Sequence, residues 1–298
     1  MDYFEQPIEH LADWETLRIN VSAFEPLIRQ IYASENEPFK TPEVVADQQA
    51  AVFAVGSTEI TIFPPANVLP QTRDNYLTER YSLTRLERLH LTAPRLKHAG
   101  FMFDRYQFYY VIYQPLTGIC LADFAKTAEP LAKSTLGRQI GTALNQLNQP
   151  VAPFRQVVAA ADTGDWHQFG DQFMADRTDF LRTQPVANDA FVHGQLNGTN
   201  LVVTSGQVGF CHFTDAQRAA KETELVPVVL DAFAGDADFM AGLSATLAES
   251  DLTTALLKGL LVRSDGPQWV TRVMAGAPVT TVAALRARLT TIIGNKED

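Results

Sequence analysis

The 298-residue sequence is poor in several features, and each shortage excludes a class of protein. Cysteine occurs twice, at Cys120 and Cys211, which is too few for a disulfide scaffold. Neither belongs to a Cys-x-x-Cys pair that would point to a zinc or redox centre, so a reducing, cytoplasmic setting is expected. With 17 Gly and 16 Pro, the chain is neither collagen-like nor of low complexity. No run approaches the ~18 apolar residues that would span a bilayer. The first residues carry Asp2, Glu5, Glu9, Asp13 and Glu15 instead of the basic head and apolar centre of a secretory signal. Positive charge is scarce too: 24 Lys and Arg face 34 Asp and Glu, a formal net charge of −10. Such a surface repels phosphate backbones and anionic lipid, so neither nucleic acid nor a membrane is expected as a partner. Internal repeats and long Gly/Ser/Pro linkers are also missing from the sequence.

What is present is an ordinary globular composition, with 46% hydrophobic and 10% aromatic residues, 18 of them Phe. The length suits two domains or lobes sharing one site. From Glu43 to Pro65, short β-branched and aromatic runs alternate with turn residues at Asp47-Gln48 and Gly56-Ser57, which predicts a three-stranded meander. Arg73 to Leu91 has helical spacing and stops at Thr92-Ala93-Pro94. The stretch around Phe101 to Tyr113 predicts two aromatic strands turning near Asp104-Arg105, with the connector Gln114 to Gly118 after them. A mixed lobe of five strands and one helix is expected to end there.

Beyond Gly118 the pattern is mostly helical: Leu121 to Phe124, Leu131 to Leu147, and Trp166 to Leu181, where Trp166, Phe169, Phe173 and Phe180 form an apolar face. One β interruption predicts strands at Leu201 to Val203 and Val208 to His212, a hairpin on the surface of a helical body. Further helices are expected from Ala237 to Asn295, broken near Gly266-Pro267 and Gly276-Ala277-Pro278. The expected domains are a helical N-terminal segment (1–39), an N-lobe (40–116) and a helical C-lobe (117–298) with a loop-hairpin at 191–216.

The loop His193-Gly194-Gln195-Leu196-Asn197-Gly198-Thr199-Asn200 resembles the HGDxxxxN catalytic loop of the aminoglycoside phosphotransferase and choline kinase family. Past the hairpin turn, Gly209-Phe210-Cys211-His212-Phe213-Thr214-Asp215-Ala216 is similar to that family's second, metal-binding segment, and Glu224-Leu225 falls where the family usually has Asp-Leu. In the first lobe, Glu59 to Pro65 resembles the strand that anchors ATP, Glu79 stands where a helix glutamate would pair with the anchoring lysine, and Ala93-Pro94-Arg95-Leu96 and Tyr109 to Gly118 resemble the start of the next strand and the hinge. The resemblance runs from about Val44 to Phe233 and implies an α+β, protein-kinase-like two-lobe fold, with a small antiparallel-sheet N-lobe and a mainly helical C-lobe.

It also exposes what has changed. The Asp that accepts the attacking hydroxyl's proton is Gln195, and an amide has no usable basicity at neutral pH. The Asp that bridges magnesium to the phosphates is His212, whereas Mg²⁺ prefers hard anionic oxygen. Of the metal pair only Asn200 remains. The anchoring lysine is Thr61, and the strand turn Asp47-Gln48-Gln49-Ala50 has no glycine to let backbone amides approach phosphates. Losing a general base alone costs about 10²–10⁴ in rate.

The resemblance therefore implies degenerate catalytic positions at Gln195, Asn200 and His212, and nucleotide-facing positions at Thr61, Glu79, Gln114 and Leu116, with no metal site. Simpler roles stand beside these: His193 as a packed histidine that orders the loop, Asn200 as a brace, Glu79 as a solvated or locally paired charge. The expected function is that of a pseudoenzyme, binding or regulatory through the interlobe cleft, with an unidentified small molecule or protein as partner. ATP or GTP is the nucleotide the resemblance would admit; Mg²⁺ is not expected. The alternatives are an active ATP- or GTP-dependent small-molecule kinase with a rebuilt site, in which Asp215 or Glu224 supplies the carboxylate, and a pure interaction module.

Overall fold

A computed structural model of the chain describes residues 3–45, 49–155, 165–249 and 251–294. The chain divides into two compact units, Met1–Leu116 and Thr117–Asp298.

The first unit opens with helices α1 (Leu11–Leu17) and α2 (Val21–Ser34), followed by strands β1 (Glu43–Val44), β2 (Ala51–Val55) and β3 (Thr58–Ile62), helix α3 (Thr72–Arg88), and strands β4 (Arg95–Phe103) and β5 (Gln107–Gln114). The strands form one antiparallel sheet in the order β1-β2-β3-β5-β4. Gly56, at φ +69°, takes the left-handed turn that lets β2 reverse into β3 over two residues. Alternation of side chains along the strands gives the sheet two different faces. Ile60 lies between Phe53 and Ile112 in register, and this face joins Phe4, Trp14, Phe24, Leu27 and Ile31 in a fully buried core.

Residues 3–39 are thus part of that unit's core. Helix α2 starts at Asn20, whose side chain accepts from Ala23 N, and its apolar residues Phe24, Leu27, Ile28, Ile31 and Tyr32 recur at i, i+3, i+4 spacing. Phe24 touches the rings of Phe4, Phe53 and Trp14 at centroid separations of 4.8, 5.4 and 5.7 Å. Asp104, in the turn between β4 and β5, accepts from Tyr3 N and Phe4 N at 2.8 and 2.7 Å. The opposite face of the sheet meets α3, where Tyr76 stacks on Tyr109.

The second unit runs β6 (Ile119–Cys120), α4 (Leu121–Phe124), α5 (Pro130–Leu147), a 3-10 turn at Trp166–Phe169, α6 (Gly170–Thr183), β7 (Ala190–Val192), β8 (Leu201–Thr204), β9 (Gln207–Phe210) and β10 (Gln217–Ala219). A 3-10 turn at Lys221–Glu224 leads into α7 (Leu225–Pro227), which continues as a wider turn over Val228–Ala232. Helices α8 (Ala237–Ser244), α9 (Leu252–Val262), α10 (Gly266–Met274) and α11 (Val282–Gly294) complete it. Helices α5 and α8 approach through glycine: a Cβ on Gly242 would come within 2.0 Å of Ser134 O. Trp166 and Phe173 are buried and stacked, while Phe169 and Phe180 are half-buried at the rim of the same face.

Two details differ from the sequence reading. The hairpin β8–β9 belongs to a three-stranded sheet with β6, and Leu201, Val203, Val208 and Phe210 are buried, so one of its faces is core. Residues 190–192, read as the start of the loop, pair with β10 instead. The break expected near Gly266-Pro267 is present between the end of α9 at Val262 and the start of α10, with Pro267 in the first turn of α10, where no amide is needed. The turn Asp47-Gln48 lies outside the described residues.

Candidate functional site

In the second unit the loop after β7 is fixed from beneath. Glu224 is fully buried, and its two carboxylate oxygens accept the backbone amides of His193 and, at 3.1 Å, Gly194. Arg263 supplies the balancing charge, bonding Gly194 O at 3.3 Å and Thr223 O at 3.1 Å while pairing with Asp265 at 2.6 Å. Burial pushes the Glu224 carboxyl up to about 7 against the pull of the two amides and of Arg263. Gly194 sits at φ +88°, and a Cβ there would come within 2.6 Å of Asp215 O, so only glycine fits.

His193 is buried with its ring 4.8 Å from that of Phe213. Its Nε2 donates to Cys211 O at 2.9 Å and its Nδ1 faces Gln195 N at 3.4 Å, an arrangement that suits the neutral imidazole. Burial lowers its pKa to about 4, consistent with that tautomer. His193 ties the loop to the segment after β9 and is a structural residue.

The upper side of the loop carries the positions singled out from the sequence. Gln195 is half-buried, and its backbone carbonyl accepts Asn200 Nδ2 at 2.8 Å. Asn200 Oδ1 in turn faces His212 Nδ1 at 2.9 Å, so the imidazole donates from Nδ1 to the amide oxygen. His212 is exposed and holds a left-handed backbone at φ +64°, a conformation that Asn, Asp and His adopt more readily than other side chains. Cys211 Sγ lies 3.3 Å from His212 Nδ1. Asn197 caps the turn by accepting from Thr199 N and Asn200 N, and Asp231, paired with Arg272 at 3.2 Å, accepts Gly198 N. Asn200 therefore links His212, through its side chain, to the backbone of Gln195.

The residues that could offer a carboxylate stand differently. Both oxygens of Glu224 are committed to the loop. Asp215 is exposed, and its carboxylate has no partner among the described residues. Among those residues no three of His, Cys, Asp and Glu are grouped to share a metal ion. The Asn200 and His212 donors fit Mg²⁺ poorly: one oxygen is already accepting a hydrogen bond, and the other group is a nitrogen.

In the first unit, Glu59, Thr61 and Tyr113 project from the α3 face of the sheet, with Glu59 opposite Tyr113 in register. Tyr113 Oη lies 3.4 Å from Thr61 Oγ1 and bonds the Glu59 carboxyl, and the charges of Glu59 and Glu79 add to burial in raising the phenol's pKa. Burial also raises the Glu59 carboxyl. A neutral phenol thus stands among two acids where the resemblance would place a lysine ammonium. Gln114 is exposed at the end of β5 and Leu116 is half-buried just beyond it. Sequence reasoning missed Tyr113; the only signal was that its strand had to pair with the one bearing Thr61.

No family profile matches the sequence, and no curated protein matches it. Solved structures do match in shape. A GDP complex of an aminoglycoside 2'-phosphotransferase-IIIa F108L mutant is 17% identical over 92% of this chain and 94% of its own, with a TM-score of 0.63. Amicoumacin kinase bound to AMP-PNP, Ca²⁺ and Ami is 13% identical over 94% of this chain and 95% of its own, with a TM-score of 0.57. A thermostable APH(4)-Ia in complex with ADP and hygromycin B is 14% identical over 91% of this chain and 98% of its own, with a TM-score of 0.53. The chain has the kinase-like fold that these structures share.

Proposed function

We propose that this chain is a relative of the aminoglycoside phosphotransferases that no longer transfers phosphate and acts as a binding or regulatory protein. The observation that carries the reading is the bond between Asn200 Oδ1 and His212 Nδ1. The two positions that would jointly hold a metal satisfy each other, next to a glutamine where the base would be. Phosphoryl transfer depends on positioning and charge neutralisation, and both need the groups that are replaced here. Solved proteins of this fold carry GDP, ADP or AMP-PNP, so a nucleotide or a small molecule is the ligand class to test first.

A second reading, an active small-molecule kinase, is favoured by one observation. Asp215 offers an exposed, unpartnered carboxylate in the segment that follows His212. Restoration separates the two. The variant Gln195→Asp/His212→Asp/Thr61→Lys is expected to bind Mg²⁺-nucleotide at least about tenfold more tightly than the wild type in calorimetry. Aspartate suits the left-handed backbone at position 212, so the change is compatible with the loop. Unchanged affinity would count against the proposal, and wild-type γ-phosphate transfer abolished by Asp215→Asn would replace it with the kinase reading.

A further inference from the structure

The second unit contains a cavity of about 430 Å³, a size in the range of small-molecule pockets. It lies between the end of α5, the chain entering β7 and the 3-10 turn before α7, and no residue of 193–200 or 209–216 lines it. Leu144, Pro150, Leu225 and Leu247 give it apolar walls. Its charged residues are Asp189, Lys221, Glu222 and Glu249.

These charges are unevenly matched. Lys221 pairs with Glu249 at 2.5 Å, and neither Asp189 nor Glu222 has an ion pair among the described residues. Asp189 has no side-chain partner among the described residues. Glu222 Oε2 is shut off from solvent and has no hydrogen-bond partner among the described residues, which is costly for a carboxylate oxygen. The nearby amides do not relieve it: Asn145 is committed to Thr246 O and Ala248 N, and Asn148 donates to Phe191 O and to Glu224. The terminal torsion of a glutamate is soft, so its carboxylate can turn toward a donor placed in the cavity.

We propose that this cavity is a binding site for an organic ammonium compound, with Glu222 and Asp189 receiving the N–H groups and the leucines covering an alkyl or aryl body. An ammonium ion supplies donors and charge together, which is what the wall lacks, and a charge-assisted bond in a partly enclosed site is stronger than a neutral one. The site does not depend on nucleotide binding or phosphate transfer.

The test uses the full chain and 4-fluorophenethylammonium, followed by ¹⁹F NMR line broadening, with 4-fluorobenzyl alcohol and 4-fluorophenylacetate as the neutral and anionic counterparts. Saturable binding of the cation is expected, at least about tenfold tighter than either counterpart. Glu222→Gln, which keeps the shape and removes the charge, should weaken it by about tenfold or more. Ala190 and Leu225 amide signals should shift with the cation in ¹H–¹⁵N spectra, which locates the binding in this cavity and confirms that the variant is folded. Absence of saturable binding up to about 10 mM, equal binding of the three probes, or an unaffected Glu222→Gln would overturn the proposal.

Discussion

The loop from His193 to Asn200 has two sides that have fared differently. Beneath it, Glu224, Arg263 and His193 form a closed set in which nearly every polar group has a partner. Above it, Asn200 bonds the His212 imidazole and the Gln195 backbone carbonyl, and the three side chains include neither a carboxylate base nor an anionic oxygen for a metal. The lower side preserves the path of the chain, and the upper side determines what chemistry the path could support. On the proposed reading, a fold keeps its scaffold while the side chains at the positions of a reaction become part of the packing.

The largest effect that would test this contrast lies beneath the loop. Glu224→Ala leaves two buried amides without their acceptor and removes the charge that Arg263 faces, and should cost about 3–5 kcal/mol in chemical denaturation, against a breakdown of the comparison if the loss is under about 1 kcal/mol. The same residue sharpens it through pH. Burial raises the Glu224 carboxyl to about 7, so the native state keeps a proton that the unfolded chain releases, and this contribution makes the protein more stable as pH falls from about 7 to 4.5. Burial lowers His193 to about 4, so the unfolded chain gains a proton first, and this contribution makes the protein less stable as pH falls from 6.5 to about 4. Between about 6.5 and 4.5 the two oppose each other. Glu224→Gln removes the first, and its stability should fall by roughly 3 kcal/mol more than that of the wild type between pH 7 and pH 4.5 in urea titrations. Parallel pH profiles would show that Glu224 titrates in the native protein as it does in the unfolded chain.

Above the loop the expected effect is smaller. Asn200→Ala removes a bond to Gln195 O and one to His212, both at a half-buried position, and should cost about 1–2 kcal/mol without altering nucleotide affinity. A loss of nucleotide binding in that variant would mean that Asn200 meets a ligand and is more than a brace.

The strands and helices of both units were legible because their patterns were long and regular: Ala51 to Ile62 alternates, and Leu131 to Leu147 keeps helical spacing. Short pieces were not. The three residues of β7 pair with three of β10, and nothing local distinguishes such a run from a loop. At the site, the residue types at the positions marked by the resemblance could be read directly, since an amide is not a base wherever it sits. Their consequences could not, because they depend on register and burial. The opposition of Tyr113 and Glu59 across two strands and the commitment of Glu224 to two amides follow from long-range contacts. Residues 3–39 gave helical spacing without saying what their aromatic rings would cover.

The most direct test is calorimetric titration of the wild-type chain with ATP and with GTP, with and without Mg²⁺, alongside an assay for γ-phosphate release. The account predicts that magnesium changes nucleotide affinity by less than about threefold and that no phosphate is released above the uncatalysed rate. Magnesium tightening the complex by about tenfold or more, with turnover near the 1–100 per second typical of kinases, would contradict it.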